Sequence, residues 1–526
     1  MKNKIVIICL ACIVPLHGFS QDYQKKMASF LKMLDTYYVD SLKMDSLVDA
    51  GIEKILGDLD PHSVYFTKEE LQKANEPLVG NFEGVGIQFN ILEDTILVLH
   101  TIAGGPSKKV GVMDGDRIIY INDEKVAGIG INNDGVFKRL RGPKGTEVTM
   151  KVLRAGEPEL LEFLVVRDKI PLFALDAHYM ASDKVGYVKL SRFSATATEE
   201  VEKAIAELKS QGAEKIILDL TGNSGGYLNQ AFQLADQFLD KDKLIVYTEG
   251  KSQKRENFNA EQKGLFEEGK LVVMIDQGSA SASEIVSGAI QDWDRGILVG
   301  RRSFGKGLVQ KAYNLPDQSA VRLTMARYYT PSGRSIQKSY SNGQDKYRDE
   351  LAERFESGEI YDEKKIKITD STVYYTNNKR IVYGGGGIMP DIYVPMDTSW
   401  TSTYYSKLIR SGIFNTFAIQ YVDKNREVLY AKYENVQVFR DKFEVGEDLL
   451  KDFYALGTSK NIKQAEEDFS NSLPMMKTNL KALIAQNLWD ENAFYYIFNE
   501  QNEIFNKAME IIGNKQLFKR NDIDSK

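Results

Sequence analysis

Between Asp276 and Trp293 the chain reads DQGSASASEIVSGAIQDW, with serines at positions 279, 281, 283 and 287. A serine at a strand-to-helix turn is held rigidly, and the amide after it points at whatever the hydroxyl attacks, as acyl transfer requires. The same letters carry a structural reading. Ser281-Ala-Ser-Glu284 fits the capping box, in which a serine and a glutamate three residues on satisfy free amides at a helix start. Within this stretch both readings stay open.

A nucleophilic serine needs a base. The chain has four histidines, His17, His62, His100 and His178, all before the region that carries the serines is far advanced. A Ser-His-Asp triad is therefore short of candidates. A lysine replaces histidine where burial disfavours its ammonium form. The chain offers Lys306 in RSFGKGLVQ, with Gly305 and Gly307 allowing close backbone approach and Phe304 and Leu308 available to exclude water. On its own a loop lysine is ordinarily a solvated charge.

These residues need a scaffold, and its outline is visible in the periodicity. From about Ile170 to Met396 strand-like runs (VGYVKL, KIILDL, LIVYT, LVVMI, ILVG) alternate with helical ones (TATEEVEKAIAELKSQG, LNQAFQLADQFL). Such alternation predicts a layered α/β core with a substantially parallel sheet, whose functional residues sit where strands end and helices begin. Ahead of it, Tyr23 to Val79 is mostly of helical spacing, with DLDPHS closing the second helix. Asp58 and Asp60 there read as turn and cap residues.

Gly80 to about Asp168 is different in texture: short strands punctuated by glycine, with one helix in INNDGVFKRLRG. GVGI (Gly84 to Ile87), GGPSKKVGVMDGDRIIYINDEKV and RGPKGTEVTMKVLR follow an order that resembles a PDZ domain. The resemblance implies a peptide-binding loop at Gly84, Val85, Gly86 and Ile87, whose amides hold a C-terminal carboxylate while the peptide pairs with the adjacent strand edge. Gly84 and Gly86 are expected to supply the backbone angles that aim several amides at one anion.

Taken together, GSASASEIVSGAIQDWDRGILVGRRSFGKGLVQ resembles the catalytic segment of the C-terminal processing peptidases, also called tail-specific proteases. LDPHS, LDLTGNSGGYL, LTMARYYTPSGRSIQ and GGIMPDIYV match in order, so the resemblance covers roughly residues 25 to 395. It implies Ser281 as nucleophile, Lys306 as general base and Gln310 as the residue that orients the lysine. It also implies an oxyanion hole from the amides of Ala282 and Gly226, with Gly225 as the fallback. The family's usual arginine after the leucine of DLR is Thr221 here, a change near the oxyanion strand that removes no catalytic group.

The expected organisation is thus a signal peptide (1–20), an N-terminal helical segment (21–79), an inserted PDZ domain (80–168), an α/β serine protease core (169–396) and a helical C-terminal extension (397–526). Expected partners are protein or peptide substrates with accessible C-terminal tails, with an adaptor or a second copy of the chain left open. A catalytically inactive binding protein of the same fold is the alternative. The formal net charge of −6 offers no basic footprint for nucleic acid. No cofactor or metal site is expected, and GGGGIMPD lacks the lysine and helix of a phosphate-binding loop.

The first residues, MKNKIVIICLACIVPLHGFSQDY, place Lys2 and Lys4 before an apolar run too short for a membrane span of about 20 residues. They read as a secretory signal cleaved after Ser20, giving a periplasmic or secreted protein with no span in the mature chain. Leu10-Ala11-Cys12 also admits a lipoprotein signal, after a very short run. Cys9 and Cys12 are the chain's two cysteines, so a chain cleaved after Ser20 would have neither disulfides nor a thiol nucleophile.

Overall fold

In the computed structural model, residues 22–367, 370, 372–463 and 469–520 are described. The expected signal peptide lies outside them. The chain divides into two compact units, residues 1–65 and 66–526. In the first, helices Asp22–Tyr37 and Met44–Gly57 precede the LDPHS turn. Asp60 makes that turn: its carboxylate accepts the His62 and Ser63 amides at 2.8 and 2.9 Å and the Ser63 hydroxyl at 2.6 Å.

In the second unit, KIILD, KLVVMI and ILVG are near-continuous apolar runs, the pattern of strands buried on both faces. They form the middle of a six-stranded sheet ordered Leu175–Ser182, Val185–Leu190, Lys215–Asp219, Lys270–Ile275, Ile297–Gly300, Ile392–Tyr393, parallel except for the first pair. Side chains alternate across it. Leu218, Leu271, Val273 and Leu298 pack with helices Ala197–Ser210, Leu228–Asp236 and Ala282–Asp292. Ile217, Val272, Met274 and Val299 face the other way, onto Ile504, Ala508, Ile511 and Ile512 of helix Glu503–Gly513. The last four recur at helical spacing. The C-terminal region thus supplies the sheet's third layer, besides an aromatic-rich core of its own around Phe414, Phe439 and Phe453.

LIVYT does not join this sheet. Leu244–Glu249 pairs antiparallel with Glu256–Asn259 and with Arg327, Tyr328 and Tyr329 at the end of strand Ala320–Tyr329, which forms a hairpin with Leu308–Asn314. A five-residue apolar run reports burial but not the partner it pairs with.

The PDZ domain is an insertion. Its flanking strands Asn81–Gly84 and Asp168–Pro171 pair antiparallel, holding both ends together. Between them strands Ile87–Leu92, Thr95–Thr101, Arg117–Ile121, Glu147–Leu153 and Leu161–Val166 pack on helix Asn133–Leu140, capped by the Asn132 side chain. The domain also rests on the C-terminal region: Leu92 and Leu97 meet Ile419, Arg117 pairs with Asp423, and His100 Nε2 lies 3.2 Å from the Gln486 carbonyl oxygen.

Candidate active site

Three of the four serines are occupied. Ser279 donates to the Leu220 carbonyl at 2.8 Å, Ser283 to the Asn223 carbonyl at 2.8 Å, and Ser287 to the Ser283 carbonyl at 2.8 Å. All three are buried. Ser281 instead lines a cleft of about 420 Å³ together with Ala282, Gly225, Gly226, Lys306 and Gln310. The residues expected from the sequence to act together therefore share one cavity.

Ser281 sits between strand Lys270–Ile275 and helix Ala282–Asp292 with φ +56° and ψ −111°. That conformation costs a non-glycine residue on the order of 1–3 kcal/mol and persists only where its surroundings enforce it. Here Glu284 takes the Ser281 amide at 2.8 Å and the Tyr328 hydroxyl lies 3.0 Å from the Ser281 carbonyl oxygen. The capping box read from the sequence is present but lopsided. Glu284 holds the Ser281 amide, while the Glu284 amide makes a 2.9 Å bond to the Ser281 carbonyl oxygen rather than relying on the hydroxyl.

Glu284 does more than cap. Wholly buried, it also accepts the Ser303 hydroxyl at 2.5 Å and the Gly305 and Lys306 amides at 2.7 and 2.9 Å. One carboxylate thus gathers the serine turn and the lysine loop. Burial pushes it up to about 7, against the pull of those four hydrogen bonds. Tyr328 is a second clamp, its hydroxyl lying between the carbonyl oxygens of Ser281 and Lys306. Burial, then the Glu284 charge, raises that phenol well above its ordinary value.

The Lys306 ammonium donates to Gln310 Oε1 at 3.0 Å. Leu308 lines the cleft as expected, whereas the Phe304 ring turns away to cover Lys338, whose Nζ is 4.0 Å from its centroid. No histidine lines the cleft among the described residues. His100 pairs with Asp114 and His178 with Glu207.

The TGNSGG turn lies against the serine. A Cβ on Gly225, whose φ is +103°, would stand 2.8 Å from Ser281 Cβ and 2.9 Å from the Ala280 carbonyl oxygen. The amide hydrogen bonds separate the two glycines. That of Gly225 is spent on Asn223 Oδ1 at 2.9 Å, whereas those of Gly226 and Ala282 meet no acceptor among the described residues. Asn223 also accepts the Ala280 amide at 2.9 Å through its carbonyl, tying the two turns together.

Where the resembled family has arginine, Thr221 is served by another cation. Lys189 Nζ reaches the Thr221 carbonyl oxygen at 2.5 Å, its hydroxyl at 2.9 Å and Asp219 at 3.1 Å, with both charged groups buried.

Residues 184–343 match peptidase family S41, 76–153 match the PDZ domain, and 404–490 match a family of unknown function. The chain is 37% identical over 325 residues to the carboxy-terminal-processing protease of Bartonella bacilliformis, covering 60% of this chain and 74% of that one. The chain belongs to the carboxy-terminal processing proteases. It is 36% identical over 294 residues to the carboxyl-terminal-processing protease of Synechocystis, covering 55% and 68% of the two chains. Among solved structures it resembles the photosystem II D1 C-terminal processing protease, at 24% identity and TM-score 0.36 over 73% of this chain and 95% of that one. This protease is a serine-type peptidase carrying a PDZ domain.

In the protease's PDZ domain, Val85 and Gly86 span the break between strands Asn81–Gly84 and Ile87–Leu92. Only Gly86 has a positive φ, +75°; Gly84 keeps ordinary strand geometry because it pairs with Asp168. Among the described residues no strand pairs with the outer edge of Ile87–Leu92. Among the described residues no helix is long and apolar enough to cross a membrane.

Sequence reasoning missed Glu284 as a clamp, and with it Tyr328, Asn223 and Lys189. The Glu284 spacing signalled only the local cap; its bonds to 303–306 cross about twenty residues and leave no periodic trace.

Proposed function

We propose that the protease cleaves exported proteins with a Ser281–Lys306 dyad and selects substrates by their C-terminal tails through the PDZ domain. The observation that carries the reading is the single cleft holding Ser281, the Lys306–Gln310 pair and the unclaimed amides of Ala282 and Gly226. Neutral Lys306 takes the Ser281 hydroxyl proton as the oxygen attacks the scissile carbonyl carbon. The two amides receive the oxyanion, and the ammonium returns the proton to the leaving amine. Lys306 then deprotonates a water that releases the acyl group. Gln310 fixes the amine so that its lone pair meets the hydroxyl.

For tail capture, the unpaired strand edge at Ile87–Leu92 and the Val85–Gly86 amides offer main-chain pairing and an anion site. For export, the support is the N-terminal sequence with Lys2, Lys4 and the following apolar run.

The test compares cleavage of an unfolded substrate by the unaltered chain, Ser281→Ala and Lys306→Ala, with circular dichroism as the folding control. Both variants should lose roughly a thousand-fold or more in kcat while keeping KM. Equal background in all three would overturn the dyad and favour a tail-binding protein.

A further inference from the structure

Besides Lys306, one other cation lines the cleft, Arg322, and no aspartate or glutamate does so among the described residues. Arg322 lies on strand Ala320–Tyr329, opposite Ala312, while Thr324 two residues on lies opposite Gln310. Residues facing across an antiparallel pair, and residues two apart, share a face of the sheet. Arg322 therefore points to the same side as Gln310, which holds the Lys306 ammonium, about 6–7 Å further along the hairpin at the usual rise per residue. Its guanidinium is half-buried and stacks 4.8 Å from the Phe66 ring centroid. Among the described residues no carboxylate or carbonyl accepts a hydrogen bond from it. A partly desolvated fork of five donors with no acceptor, facing a peptide cleft, is matched by a carboxylate.

We propose that Arg322 determines specificity by taking a substrate carboxylate about two residues from the scissile bond. This rests on Ser281 and Lys306 marking the point of cleavage. The spacing follows because an extended peptide advances at nearly the same rate as the hairpin strand beside it. The carboxylate comes either from an aspartate or glutamate side chain or from the substrate's own C-terminus. The chemistry is the same; the position and the terminus distinguish them. Burial in the cleft lowers the Arg322 guanidinium from its ordinary value, the cost that a bound carboxylate would offset.

The test uses the full chain and fluorogenic peptides differing only by Glu or Gln at each of three positions on either side of one cleavable bond. Each peptide is made as free acid and as C-terminal amide. The ratio of kcat/KM for the Glu and Gln peptides should reach roughly ten- to a hundred-fold at one position, the range of a charge-assisted hydrogen bond. It should fall to near one in Arg322→Gln, persist in part in Arg322→Lys, and invert toward a lysine-bearing peptide in Arg322→Glu. A preference for free acid over amide, lost in the same variants, assigns the site to the terminal carboxylate. Peptide affinity in Ser281→Ala gives the same comparison without turnover. A flat ratio in the unaltered chain, or an Arg322→Gln variant that slows every peptide equally, would overturn the proposal and leave Arg322 a support for Phe66. Cleavage surviving in Ser281→Ala would instead overturn the placement of the dyad.

Discussion

In a Glu284→Gln protein the buried carboxylate that gathers the Ser281, Gly305 and Lys306 amides becomes a carboxamide of nearly the same shape. Both oxygens are already acceptors: Oε2 for the Ser281 and Lys306 amides, Oε1 for the Ser303 hydroxyl and the Gly305 amide. The better fit puts the amide oxygen at Oε2 and the NH2 group at Oε1, where it faces the Gly305 N–H donor against donor. One buried amide left without an acceptor costs about 1–3 kcal/mol, and the flipped amide would strand two. A lysine loop displaced by as little as 1 Å costs roughly 100-fold in rate, so kcat should fall by about that factor with KM little changed.

The pH dependence gives a sharper reading of the same variant. Burial holds Glu284 at about 7, above the ordinary 4.5, so the folded protein binds this proton more tightly than the unfolded chain does. Its contribution to stability is full below about pH 4.5 and is lost as pH rises to about 7. At 1.36 kcal/mol for each pH unit the loss is about 3 kcal/mol, and glutamine does not titrate. Urea denaturation of both proteins should show the unaltered chain's advantage shrinking by about that amount across this window, then staying level. Activity runs the other way, because only the ionised carboxylate accepts from all four donors. The unaltered enzyme's kcat should rise through pH 7, and the variant should keep only the limb that belongs to the general base. A stability difference independent of pH, or a variant with undiminished kcat, would refute this account of Glu284.

Lys189→Met removes the cation beside buried Asp219 and should cost about 3–5 kcal/mol in urea unfolding, the usual consequence of stranding a buried charge. Lys189→Arg should cost less. Ending the chain after Met396 uncovers Val272, Met274 and Val299 on the sheet's second face, and the truncated protein should be recovered in the insoluble fraction. In the full chain, Ile511→Ala should cost about 2–5 kcal/mol by leaving a cavity on that face. A soluble, cooperatively unfolding truncation would show that the extension is dispensable to the core.

What the sequence made legible follows from how far each signal reaches. The strands KIILD, KLVVMI and ILVG could be read because burial on both faces writes itself into every letter. The site could be outlined because Ser281, Ala282, Lys306 and Gln310 lie within thirty residues that resemble one catalytic segment. Its supports were not legible, because Glu284, Tyr328 and Lys189 act through backbone atoms brought close only by the fold. Periodicity tells which face of an element is buried, never what buries it. Helix Glu503–Gly513 carries its apolar residues at helical spacing, yet its partner is a strand more than two hundred residues earlier. The same limit hid how the PDZ domain is held. Arg117 meets Asp423 across 306 residues and His100 meets Gln486 across 386. The C-terminal region therefore contacts both the PDZ domain and the second face of the six-stranded sheet. Ile419→Ala or Asp423→Asn should loosen the contact with the PDZ domain before altering either the PDZ core or the sheet, because Leu92, Leu97 and Ile419 form a cluster apart from both.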